Sequence, residues 1–153
     1  MMSNDTIRPL RRDDLAAAEA LIAGVDLFPP EMLPGMAAPF LEGADELWLV
    51  FDTGAGLAYA APERLTDGTW NLLLMAVDPA RQGQGLGRRL VAAVEAALQE
   101  KGARLLLVET SGVPDFAGQR RFYRRLGFRS EARIRDFYQA GDDKVIFAKL
   151  LSG

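Results

Sequence analysis

A chain of 153 residues with 49% apolar and 25% charged side chains can bury one sizeable core, and it is short for two ordinary domains. The formal net charge of −3 argues against broad nucleic-acid binding, and no apolar run approaches the length that spans a bilayer. Histidine and cysteine are both absent, which excludes Ser-His and Cys-His nucleophilic pairs and Cys/His zinc sites.

Any general base is therefore Asp, Glu, Lys, Tyr, a chain terminus or water. No metal is expected, because Asp142 and Asp143 alone make a poor hard-cation site. No signal-like segment precedes Ile7, and nothing here crosslinks in an oxidising compartment, so the expected location is cytoplasmic.

Residues 6–10 read as a short first strand. Asp13 or Asp14 then caps a helix carrying Leu15, Ala18, Leu21 and Ile22 and stopped by Gly24. The proline-rich stretch 28–40 breaks periodicity and reads as a loop with one short helix around residues 31–42. Its Phe28, Met32, Leu33, Met36 and Phe40 either plug the core or wall a substrate pocket.

Residues 47–51 and 57–61 form a hairpin around the turn at 52–56, and residues 69–77 form the most apolar strand up to that point. Leu90, Val91, Val94, Ala97 and Leu98 share a helical face closed by Gly102. Residues 104–109 read as a continuous strand covered on both faces. A helix over 119–126 ends at Gly127, and strands at 128–137 and 144–150 close the chain around a turn at 140–143. This mixture indicates a mixed α/β sheet in one domain.

The strand ending at Val77 runs into Asp78-Pro79-Ala80-Arg81-Gln82-Gly83-Gln84-Gly85-Leu86-Gly87-Arg88. Glycines at alternate positions let several main-chain N–H groups converge, and a helix start aims its positive end at the same place. Such a junction suits the phosphates of a bound nucleotide or cofactor. A Walker loop would need Lys-Ser/Thr after its last glycine, where Arg88 and Arg89 stand. The dinucleotide fingerprint would place its third glycine one residue later, which disfavours a nicotinamide-dependent reductase.

The pattern that fits is Gln-x-x-Gly-x-Gly at Gln82, Gly85 and Gly87. With Arg121-Phe122-Tyr123-Arg124-Arg125-Leu126-Gly127-Phe128 and the opening Ile7-Arg8-Pro9-Leu10, it resembles the GNAT superfamily of N-acetyltransferases over nearly the whole chain. The resemblance implies a single domain over residues 1–153, with a mixed, mostly antiparallel sheet of about seven strands flanked by about four helices and splayed between the fourth and fifth strands. It also implies acetyl-coenzyme A as co-substrate and direct transfer to a primary amine. That acceptor is a small-molecule amine, an amino acid or a peptide N-terminus.

By the same resemblance, amides of Gln82, Gly83, Gln84, Gly85, Leu86, Gly87 and Arg88 bind the pyrophosphate, and the backbone of Met75, Ala76 and Val77 pairs with the pantetheine arm. Arg81, Arg88 and Arg89 either meet phosphate charge or are solvated.

Acetyl transfer needs a base for the amine, a donor for the thioester oxygen and a proton for the leaving thiolate. Tyr123 stands where this family protonates the sulfur; otherwise its ring packs under the cofactor. Glu109 is either the base, acting through water, or a partner for Arg104, Arg120 or Arg121. Tyr138, Asp136, Asp142 and Asp143 either hold a cationic acceptor or build a hairpin turn.

The family's asparagine before the tyrosine helix is missing, leaving Thr110 or Ser111 to replace its contact. Arginines 120, 121, 124, 125, 129, 133 and 135 read as a solvated or ion-paired face. Phe137, Tyr138 and Phe147 make a homodimer a reasonable default. The alternative to an enzyme is a non-catalytic coenzyme A-binding or sensor module of the same fold.

Overall fold

The computed structural model describes residues 5–151. Among these residues seven strands, β1 (Ile7–Pro9), β2 (Leu47–Phe51), β3 (Gly56–Pro62), β4 (Thr69–Val77), β5 (Leu105–Ser111), β6 (Arg129–Gln139) and β7 (Asp142–Leu150), hydrogen-bond in the order β1-β2-β3-β4-β5-β7-β6. The chain falls into two compact units, Met1–Ala61 with Leu74–Ala97 and Pro62–Leu73 with Leu98–Gly153.

The first unit opens with β1 (Ile7–Pro9), α1 (Leu15–Val25) and α2 (Leu33–Leu41). β1 runs antiparallel to β2 (Leu47–Phe51), and β2 antiparallel to β3 (Gly56–Pro62). Arg8 fixes the start of α1: its guanidinium donates two bonds to Asp14, at 2.8 and 2.9 Å, and a third to Asp52 at 2.7 Å. These bonds hold the Asp14 carboxyl below the usual carboxylate range.

α1 and α2 bury Ala18, Leu21, Ile22, Leu33 and Ala37 against Trp48, Val50 and Leu57. Trp48 stacks on Tyr59 with centroids 4.3 Å apart. Of the apolar residues at 28–40, Leu33 is fully buried, Phe28, Met36 and Phe40 pack at the edge of this core, and Met32 is 52% exposed. α2 carries Pro39 inside it, which removes one N–H from the helix ladder.

β4 (Thr69–Val77) leads to α3 (Leu86–Glu100), whose Leu90, Val91, Val94 and Leu98 are buried as their spacing predicts. In the second unit β4 and β5 (Leu105–Ser111) run parallel, with register from Thr69↔Leu105 to Leu72↔Val108. The ladder stops there although both strands continue, so the two part as the family resemblance implies. β7 (Asp142–Leu150) is antiparallel to β5 and to β6 (Arg129–Gln139). α4 (Ala117–Arg125) lies between β5 and β6 in the chain.

Four expectations need correction. Gly24 does not stop α1; the helix ends one residue later, and Asp26 adopts the left-handed cap conformation with φ 55°. β5 is not covered on both faces, because Leu106 and Val108 are buried while Leu105, Leu107 and Glu109 are half-buried. Asp142 and Asp143 belong to β7 and not to the turn. Phe147 is fully buried and cannot meet a second copy, whereas Phe137 and Tyr138 are half-exposed.

Gly56 marks a tight approach. A Cβ there would stand 3.0 Å from the Ala76 carbonyl oxygen and 3.0 Å from the buried Phe51 ring. Gly56→Ala should therefore lower stability by about 1–3 kcal/mol in urea denaturation, by overpacking rather than by backbone conformation.

Candidate active site

The junction after β4 is built from local chemistry. The Asp78 carboxylate accepts the Ala80 N–H at 2.9 Å, and Pro79 starts a single 3₁₀ turn over Pro79–Arg81. Gln82 is extended, and Gly83 and Gly85 follow at φ 81° and 77°, in the region that L side chains rarely adopt. The first bond closing α3 from this side is Arg89 N–H to Gly85 O at 3.1 Å. Among the described residues, no main-chain carbonyl accepts from the N–H groups of residues 83–88. A run of unspent donors at a helix start is an anion site in waiting.

Two of the three neighbouring arginines are already engaged. Arg81 donates to Asp5 at 2.8 Å and to Gln84 at 2.8 Å. Arg89 donates to the Asp5 carbonyl at 2.5 Å and lies over the Phe51 ring. Arg88 has neither kind of partner among the described residues and is exposed.

Gln82, Gly83, Gln84 and Gly85 are exposed and Leu86 is buried, anchoring the helix start below them. On β4, Ala76 is buried and Met75 and Val77 are half-buried. The ladder with β5 has ended before these three residues, so among the described residues no β5 partner is registered opposite them. Spare amides, strand residues with no registered β5 partner and an exposed arginine fit a diphosphate carrying an extended arm.

Tyr123 sits on α4 and is 7% exposed. Its ring meets Phe122 and Phe128 edge-on and Phe147 at a tilt. Its hydroxyl has no hydrogen-bond partner among the described residues. Burial pushes the phenol up to about 12, so it stays protonated at any ordinary working pH.

Glu109 pairs with none of the three arginines named from the sequence. Its Oε1 accepts from Lys144 Nζ at 2.9 Å and its Oε2 from Asn71 Nδ2 at 3.1 Å. Asn71 also donates to Glu63 at 3.1 Å. Sequence reasoning missed Asn71, Glu63 and Lys144. The available signal was an asparagine inside the apolar run of β4.

The remaining candidates have structural tasks. The Asp136 carboxylate accepts Gly141 N–H and Asp143 accepts Asp136 N–H, while Arg133 pairs with Asp143 at 2.6 Å. Asp142 accepts from the Ser111 hydroxyl, which in turn accepts Val113 N–H. Thr110 donates to Gln119 at 3.4 Å. These aspartates build the hairpin, and both hydroxyls offered in place of the missing asparagine are already bonded. Arg120 donates to the carbonyls of Ser111 and Val113, and Arg124 lies over the Phe147 ring. Among the described residues no helix is long and apolar enough to cross a membrane.

A mixed sheet with one short parallel ladder and a glycine-opened strand-to-helix junction defines the class: an α/β protein whose junction has the donor chemistry of an anion site. The family model of the acetyltransferase (GNAT) domain matches residues 43–130, and the chain belongs to that family. A protein assigned to the GNAT acetyltransferases from Desulfovibrio desulfuricans is similar at 34% identity and TM-score 0.85, over 96% of this chain and 99% of that one.

The ribosomal-protein-S18-alanine N-acetyltransferase of Escherichia coli is 25% identical with TM-score 0.75, over 97% and 94% of the two chains. An acetyltransferase from Salmonella typhimurium, solved with acetyl-CoA, shares the fold at 23% identity and TM-score 0.77, over 99% and 96%. No curated protein matches the chain significantly.

The buried phenol carries a stability signature. Between about pH 10 and about pH 12 the native state keeps a proton that the unfolded chain has released, so stability falls as pH rises through that window. Urea titrations across that range should show a loss approaching 3 kcal/mol beyond any other alkaline effect, and Tyr123→Phe should remove it.

Proposed function

We propose that the protein is an N-acetyltransferase that moves an acetyl group from acetyl-coenzyme A to a primary amine within a ternary complex. The reading is carried by the unspent N–H groups of residues 83–88 in a chain that belongs to the GNAT family. Those amides, with Arg88, hold the diphosphate. The backbone of Met75, Ala76 and Val77 pairs with the pantetheine arm as an added strand, and one of its N–H groups serves the thioester oxygen. When bound, acetyl-coenzyme A supplies an acetyl group activated as a thioester.

Glu109 takes the proton from the amine, directly or through one water. The donors from Lys144 and Asn71 fix the orientation of its carboxylate. Tyr123 keeps a protonated hydroxyl for the departing sulfur, since a thiol and a free phenol have reference values of about 8.5 and about 10 and burial raises the phenol further.

Thiol release across a panel of amines, with calorimetry of acetyl-coenzyme A binding, tests the assignment. Tyr123→Phe and Glu109→Gln should each lower kcat by about 100-fold while leaving cofactor affinity unchanged. Gly85→Ala should instead weaken cofactor binding, because a side chain in the left-handed region costs about 1–2 kcal/mol. Binding without turnover of any amine would leave a coenzyme A-binding module. No heat at millimolar acetyl-coenzyme A would remove both readings.

A further inference from the structure

In the second unit the β5–β7 pair is apolar on both faces. Leu106, Val108, Val145 and Phe147 are buried on one of them. The register Leu105↔Leu150 and Leu107↔Ala148 sets the other, where a groove of about 670 Å³ opens. Those four residues form its floor, and Arg129 and Glu131 of β6 stand at its rim. Antiparallel strands with one face toward water normally alternate apolar with polar residues, and here that alternation fails at all four floor positions. An apolar floor inside a charged rim marks a protein interface.

The shape suits a second copy. Leu150 is 68% exposed and stands up from the end of β7. Two residues back, on the same face, the small side chain of Ala148 leaves a hollow. A two-fold rotation about an axis through the groove sets each copy's leucine into the other's hollow. Such a contact is isologous: it closes at two copies and goes no further.

The charges suit it as well. β6 slips its register between Ser130 and Ala132, and Arg129 and Glu131 reach the same rim. Their own pair, Arg129 Nε to Glu131 Oε1, is loose at 3.7 Å and open to solvent, so it contributes little within one copy. Among the described residues the other charge at the groove is Lys149, whose Nζ donates to the Leu126 carbonyl at 2.7 Å. Neighbouring groups of opposite sign repel a partner that carries only one sign. The same rim turned by 180° matches it: Arg129 meets Glu131 of the second copy, and Glu131 meets its Arg129.

We infer that this groove is the interface of a homodimer, with Leu150 anchoring each half and the Arg129–Glu131 pair exchanged between copies. It uses none of the residues given to the cofactor or the amine, so it stands or falls apart from the acetyl-transfer reading.

Sedimentation equilibrium of the full chain tests it, and the wild type should be dimeric at about 20 µM. Leu150→Asp, which drives a charge into the other copy's hollow, should weaken the dimer by about 100-fold. Arg129→Glu alone and Glu131→Arg alone each set like charges across the axis, and each should weaken it by about 100-fold too. An equimolar mixture of these last two variants should restore a dimer, because every cross-axis contact then joins opposite signs.

A wild type that stays monomeric at about 200 µM would overturn the inference and leave the face to a different protein. A dimer that survives all three variants would overturn it by moving the contact elsewhere. So would two folded, monomeric charge variants, with native circular dichroism, that fail to associate when mixed.

Discussion

Donors that the fold leaves unspent organise this molecule. A helix has to begin with N–H groups that lack carbonyl partners, and most helices cap them with a side chain. Here the capping carboxylate, Asp78, sits upstream and serves the 3₁₀ turn, while two left-handed glycines carry the chain into α3. Arg81 and Arg89 brace the junction from the side through Asp5 and so hold its shape without filling it. Rigidity beside an open donor set is what preorganised anion binding demands.

The second unit answers with buried polarity. Tyr123 is protonated because its ring is enclosed by Phe122, Phe128 and Phe147, so packing and proton affinity have one cause. Glu109 shows a different principle. Its two oxygens each receive a donor, from Lys144 on β7 and Asn71 on β4, which gives the carboxylate one orientation. A half-buried face on β5 is the condition for this, since a strand sealed on both sides would leave no room for a polar network.

Much of this was legible in the residues. Strand alternation, the glycine spacing and the Phe-Tyr-to-Gly-Phe helix end depend on neighbours in sequence, and the structure places β4, α3 and α4 where those signals put them. The errors fell where tertiary context decides. Gly24 looked like a helix stop, but the chain used the left-handed tolerance of Asp26 two residues on. Leu105 to Val108 looked doubly covered because an apolar run reports composition and not which face is closed. The bridge from Asn71 to Glu63 and Glu109 spans separations of 8 and 38 residues, and no local pattern encodes such a meeting.

β6 presents every one of its 11 residues to solvent, including the apolar Ile134, Phe137 and Tyr138. A straight outer strand of that length would invite further strands to add on, the first step toward fibres. Its ladder with β7 slips between Ser130 and Ala132 and again between Ile134 and Gln139, and Asp136 turns left-handed inside the second break. Each irregularity twists the rim and interrupts its row of peptide groups. The aspartates that shape this hairpin therefore also act as guards against sheet-to-sheet accretion.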